Sequence, residues 1–311
     1  MTRILRTPDE RFAHLPGYGF APRYLTIDDR RFGPLRMHRV DERPADAPVA
    51  LMLHGEPTWS FLYRKMIRPV VAAGYRVVAP DHVGFGRSDK IADRTAYTYQ
   101  GFVDWLKQLI EALDLRRITL VCQDWGGPIG LRALSEMADR FDAVLATNTL
   151  LPNYEPPPNG VDGWPGPIIE AWAKTCRESD DLPVAEIVAG VSANRPDAAI
   201  MAAYDAPFPD ASHKAAALAI TGLIPIRADM PGLSENRKAW QVLERFDRPF
   251  LTAFSDGDPS TKAWERVFRE RVPGARGQPV VEIAGAGHFV QEEKGEELAR
   301  VLIDLLRRTY R

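Results

Sequence analysis

The chain has 311 residues, 45% of them hydrophobic, a formal net charge of −2 and two cysteines. That length exceeds the usual single domain but suits an α/β fold with an inserted subdomain and a large core. Scattered lysines and arginines give no basic stripe for nucleic acid or anionic lipid, and the cysteines are too few for a disulfide framework. The amino terminus Met-Thr-Arg-Ile-Leu-Arg-Thr-Pro-Asp-Glu lacks an apolar signal core and no uninterrupted apolar run is long enough to cross a bilayer, so a cytoplasmic protein acting on small neutral molecules is expected.

In chain order, Tyr24 to Ile27 and Leu35 to Val40 are predicted as antiparallel strands around Gly33-Pro34. Val49 to Leu53 is a buried strand running into His54-Gly55-Glu56-Pro57-Thr58-Trp59, after which Phe61, Leu62, Met66, Ile67 and Val70 have helical spacing. Tyr75 to Ala79 is another strand; the glycines of the following Val83-Gly84-Phe85-Gly86 suit a tight structural connection. Tyr99 to Leu113 is an amphipathic helix with Phe102, Leu106, Leu109 and Ile110 on one face.

The central stretch follows. Ile118 to Cys122 is a short β-branched run of the kind buried on both faces of a parallel sheet, and Asp124 stands just past its end. Gly126 and Gly127 come next, and Pro128 opens a segment in which Ile129, Leu131, Leu134 and Met137 have helical spacing. Strand, sharp turn and helix make a nucleophile elbow, which lifts its central side chain clear at the carboxyl end of a sheet. The usual elbow is Gly-x-Ser-x-Gly; here Asp124 takes the serine position and Cys122 the first glycine.

That change sets the chemistry. A carboxylate attacking saturated carbon makes an ester that water can cleave, whereas serine would make an inert ether. An ordinary aspartate is already ionised near neutrality and needs no base to activate it. The His54-Gly55-Glu56 loop lies where an oxyanion hole is expected, with the backbone N–H groups of Glu56 and Trp125 as donors.

Phe141 to Thr147 is the next strand, and five βα-type units in series require a mostly parallel, doubly wound sheet. From Leu151 the rhythm breaks into proline, glycine and short helical patterns, and the sheet pattern resumes at Pro249 to Phe254 and Val280 to Ile283. The expected division is therefore a main domain of residues 1–150 and 232–311 with a helical cap of residues 151–231 that excludes water from a pocket between them. Lys294 to Arg308 is expected to be a closing helix.

The strand at Pro249 to Phe254 ends in Ser255-Asp256-Gly257-Asp258-Pro259, and the last strand ends in Gly285-Ala286-Gly287-His288. Nucleophile, acid, histidine is the chain order of the α/β-hydrolase triad. His288 would activate the water that opens the ester, with Asp258 as its supporting acid and Asp256 in reserve. Trp125 adds a donor-only indole beside the nucleophile, suited to a departing halide, which needs stabilisation without a proton. Trp164 and Trp172 are both candidates for a second donor or for cap core.

Four segments together resemble the haloalkane dehalogenases, and specifically their first subfamily. They are His54-Gly55-Glu56-Pro57-Thr58-Trp59-Ser60, Gln123-Asp124-Trp125-Gly126-Gly127, Tyr204-Asp205-Ala206-Pro207-Phe208-Pro209 and Gly287-His288-Phe289-Val290-Gln291-Glu292. The similarity also takes in the Leu5-Arg6-Thr7-Pro8 opening. The resemblance implies an α/β-hydrolase fold and a cofactor-free, metal-free, usually monomeric hydrolase turning a haloalkane and water into primary alcohol, halide and a proton. It further implies Asp124 as nucleophile, His288 as base, Asp258 as acid, Glu56 in the oxyanion hole, and Trp125 with Trp172 as halide ligands.

Two other functions compete. An epoxide hydrolase shares the fold and the aspartate but would protonate the opened oxygen with cap tyrosines, for which Tyr154 and Tyr204 are available. A binding protein on an inactive hydrolase scaffold is the other, and the complete set of Asp124, His288 and Asp258 argues against it.

Overall fold

Apolar strand runs alternating with amphipathic helices build one eight-stranded sheet, which a computed structural model describes over residues 2–42, 46–154 and 166–311. The strands are β1 (Ile4–Leu5), β2 (Arg23–Asp29), β3 (Gly33–Glu42), β4 (Val49–Leu53), β5 (Arg76–Pro80), β6 (Lys90–Ile91), β7 (Ile118–Asp124), β8 (Phe141–Thr149), β9 (Phe250–Ser255) and β10 (Val281–Ile283). The helices around and above the sheet begin with α1 (Arg64–Ala72), α2 (Tyr99–Ala112), α3 (Gly126–Glu136), α4 (Gly166–Glu178) and α5 (Val184–Gly190). They continue with α6 (Ala198–Asp205), α7 (Ala215–Ile220), α8 (Leu233–Leu243), α9 (Ala263–Arg271) and α10 (Val290–Thr309).

The sheet order is β10-β9-β8-β7-β4-β5-β3-β2. β5 through β10 in that order pair parallel, while β3 joins β5, and β2 joins β3, antiparallel. This is the α/β-hydrolase arrangement expected from the series of βα units. Every residue of β4 is buried, as are Ile118 to Gln123 of β7, because helices cover both faces. Each fully buried valine, leucine or isoleucine contributes roughly 1.5–3 kcal/mol relative to exposure, so this doubly covered centre is where the site can be held rigidly.

Strand ends run past their apolar stretches. β7 extends to Asp124 and β8 to Thr149 because the two keep pairing across an irregularity, with Cys122 opposite Ala146 and then Asp124 opposite Thr149. The closing helix begins at Val290, not at Lys294, where the chain leaves helical geometry (φ −129°, ψ 32°) and splits α10 into two parts. The β1–β6 ribbon, α8 and α9 had no counterpart in the periodicity reading. α9 explains why: charged positions outnumber its buried Trp264, Val267 and Phe268. Among the described residues, 166–231 contain helices and turns and no strand, and no helix is long and apolar enough to cross a membrane.

Candidate active site

The carboxyl ends of β4, β7, β8 and β9 converge, and the elbow sits among them. Asp124 adopts φ +48°, a left-handed conformation that costs an ordinary residue of order 1–3 kcal/mol. Neighbours hold it there. The Thr149 hydroxyl donates to the Asp124 carbonyl at 2.7 Å. Close approach of the loops depends on missing side chains: a Cβ on Gly55 would lie 2.1 Å from Asp124 Oδ1, and one on Gly126 would lie 2.1 Å from the Leu53 carbonyl oxygen. The aspartate is thereby aimed away from the sheet.

Its two oxygens face different partners. Oδ1 accepts the Glu56 backbone N–H at 2.7 Å, and Oδ2 lies 3.3 Å from His288 Nε2. The Trp125 N–H, expected as a second donor, makes no hydrogen bond to this carboxylate among the described residues. It heads α3, whose amino-terminal dipole favours negative charge at this point.

His288 Nδ1 lies 2.9 Å from Asp258 Oδ1. The Asp258 carboxylate is also held by the Ser260 N–H (3.0 Å) and hydroxyl (2.9 Å) on Oδ1, and by the Thr261 N–H (3.1 Å) and hydroxyl on Oδ2. Burial alone would raise the pKa of Asp258, but the imidazolium charge and these donors hold it well below the usual carboxylate range. Burial would likewise depress His288; the Asp258 charge, with hydrogen bonds to Asp124 and Asp258, outweighs it and pushes the imidazole up to about 10. Asp256 is exposed and turned elsewhere, accepting the Gly285 and Ala286 N–H groups at 2.9 and 3.4 Å.

Two side chains that sequence reasoning passed over steady the histidine. Asn148 Nδ2 donates to the His288 carbonyl at 2.8 Å and to the Gly287 carbonyl at 3.1 Å, and the Gln123 amide lies 3.1 Å from His288 Nε2. Both are buried polar residues in or beside apolar strands, a mild signal in itself because such groups need partners. Ser260 and Thr261, directly after Asp258-Pro259, carry the more readable signal of a turn that returns N–H and hydroxyl donors to an aspartate.

A cavity of about 380 Å³ opens over Asp124, lined mostly by apolar groups such as Leu150, Ile169, Ile187 and Ile224. Trp125 and Trp172 also line it. Trp125 is buried and packs edge-on against Tyr99, their rings 5.4 Å apart. Trp172, on α4, donates its indole N–H to Glu56 Oε2 at 3.1 Å. Trp164, the other candidate, lies outside the described residues. Burial, then the Asp124 charge, raise the pKa of the Glu56 carboxyl to about 8 against the opposing Trp172 hydrogen bond.

Neither tyrosine needed for epoxide opening faces this cavity. Tyr204 is buried with its hydroxyl donating to Glu292 Oε2 at 2.6 Å, and Tyr154 is an exposed residue absent from the lining.

Comparison with known proteins agrees with this geometry. Residues 48–185 match the family model described as the alpha/beta hydrolase fold. A haloalkane dehalogenase of Psychrobacter cryohalolentis is 46% identical over 304 residues, covering 98% of each chain. One from Mycobacterium marinum is 44% identical over 300 residues, covering 96% of this chain and 98% of the relative. Among solved structures, a tetrameric haloalkane dehalogenase from Paraglaciecola agarilytica NO2 superposes with a TM-score of 0.86 at 38% identity, covering 96% of this chain and 97% of that one. Likeness on this scale, over almost the whole length and around an aspartate elbow, shows that the chain belongs to the haloalkane dehalogenases, hydrolases that cleave carbon–halogen bonds.

Proposed function

We propose that this dehalogenase works by two displacements through an ester on Asp124. Oδ2, the oxygen free of the Glu56 N–H, attacks the halogen-bearing carbon of a haloalkane in the cavity. The halide leaves with the carbon–halogen electron pair, received by the indole N–H groups of Trp125 and Trp172. Oδ1 becomes the ester carbonyl and stays on the Glu56 N–H.

His288 Nε2 then takes a proton from water, and the water oxygen attacks the ester carbon. The Glu56 and Trp125 N–H groups stabilise the resulting oxyanion. Collapse expels the alkoxide, which takes the proton back from His288 and leaves as the alcohol. The second water proton goes to solvent as the carboxylate re-forms, so each turnover yields alcohol, halide and a proton.

The single observation carrying this reading is the Asp124 carboxylate held between an oxyanion donor at 2.7 Å and an imidazole at 3.3 Å. Its electrostatics suit the sequence of steps. Asp124 supports the raised pKa of His288 through a hydrogen bond and its charge. Ester formation removes both contributions and leaves those of Asp258, so the imidazole holds its proton less tightly when a neutral base is needed to activate water.

Residues 151–231 are read as the cap that keeps this cavity dry, over a main domain of residues 1–150 and 232–311. A monomer is proposed, although the related enzyme from Paraglaciecola agarilytica is tetrameric; light scattering in solution decides between them. A cytoplasmic location is likewise proposed from the cysteine content.

Halide release from a panel of brominated and chlorinated alkanes, with styrene oxide in parallel, tests the substrate reading. Halide is expected from the alkanes and no diol from the epoxide. Diol formation at comparable rates would favour epoxide opening instead.

A further inference from the structure

Glu56 enters the reaction through its backbone, which leaves its side chain without a role. That side chain is buried at the wall of the cavity shared by Asp124, Trp125 and Trp172. Oε2 takes the Trp172 indole N–H, whereas Oε1 is buried with no hydrogen-bond partner among the described residues. A buried charged carboxylate with an orphaned oxygen, next to a second carboxylate, is strongly disfavoured; the neutral acid is far less so. The indole N–H needed by the halide is therefore already engaged in the free protein, by a group that can exist in two charge states.

We propose that the Glu56 carboxyl side chain is a third member of the halide cradle. As the neutral acid it orients Trp172 and yields the indole N–H to the leaving halide; as the carboxylate it keeps that N–H and repels the anion. The inference rests on Trp125 and Trp172 being the halide ligands.

Proton and halide binding are then linked. An anion seated beside Glu56 favours its protonated form, and protonation of Glu56 favours the anion by the same factor. The titratable groups acting on Glu56 are Asp124 from the end of β7, His288 from the loop before α10, and Cys176 on α4. Burial raises the Cys176 thiol to about 12, so it stays neutral, and His288 keeps its proton to about 10. Glu56, raised to about 8, is the group that changes charge in the window between neutrality and pH 9.

Bromide titration of the intact enzyme, followed by indole fluorescence at pH 6 to 9, tests this. In the wild type the apparent dissociation constant should be flat at low pH and rise above about pH 8 by up to roughly tenfold per pH unit, as for one linked proton. Glu56→Gln preserves the backbone N–H and a neutral side chain of the same shape, and should flatten the profile across the range. Trp172→Phe should weaken bromide binding at every pH. A Glu56→Gln profile as steep as wild type, with Trp172→Phe weakened, would overturn the proposal alone. Unchanged binding in Trp172→Phe would overturn the halide assignment beneath it as well.

Discussion

His288→Ala is expected to stop the cycle after the first displacement. Intact-protein mass after incubation with 1,2-dibromoethane should rise by one bromoethyl group, with one halide released per chain and no further turnover. The reason is the division of labour at Asp124. Attack on the haloalkane uses a carboxylate that is already charged and held by the Glu56 N–H, with no proton to move. Ester hydrolysis does need a base, and removing one slows a proton-dependent step by roughly 10²–10⁴-fold. Hydrolysis then lags alkylation and the ester accumulates. Circular dichroism separates this from misfolding: a folded variant with unchanged mass and no halide release would contradict the scheme.

The second large effect concerns the acid. Asp258→Asn should lower kcat by roughly 10²–10⁴-fold, since it removes the charge facing His288 Nδ1 at 2.9 Å and sets an amide against the donors of Ser260 and Thr261. Losing that charge also lets the His288 pKa fall from its raised value of about 10, because burial then acts with less opposition. Asp256→Asn should change kcat by less than about threefold, in keeping with the ±0.5 kcal/mol usual at exposed polar positions. Steady-state rates on 1,2-dibromoethane across pH check both. The opposite ranking would move the supporting acid to Asp256.

How much of this was readable beforehand follows from where each residue sits. Asp124 stands out because it lies between an apolar strand and Gly126-Gly127, and His288 because it follows a strand and the Gly285-Ala286-Gly287 turn, so periodicity and turn chemistry point to the same place. β4 is legible to the residue, since both ends of Val49–Leu53 coincide with a change from apolar to polar or turn residues. Between Asp258 and Asp256 the sequence favours Asp258 and keeps Asp256 in reserve. Both follow the same strand, and only the folded turn shows one carboxylate facing the imidazole while the other caps Gly285.

Asn148 and Gln123 were hidden for a different reason. Inside or beside a buried strand they look like imperfections in an apolar pattern, and their value appears only when the His288 loop is brought against them from 140 and 165 positions away. The engagement of Trp172 by Glu56 spans 116 positions and joins the cap to the oxyanion loop. Local periodicity carries no information on such pairings. It describes elements well and their meeting points poorly.

The most direct measurement is a single turnover with enzyme in excess over haloalkane, in oxygen-18 water, followed by mass analysis of the peptide containing Asp124. Hydrolysis at the ester carbon places one solvent oxygen in the Asp124 carboxylate and leaves the alcohol with an unlabelled oxygen from the enzyme. Label found only in the alcohol, with Asp124 unlabelled, would mean that water attacks the haloalkane directly and that no ester forms.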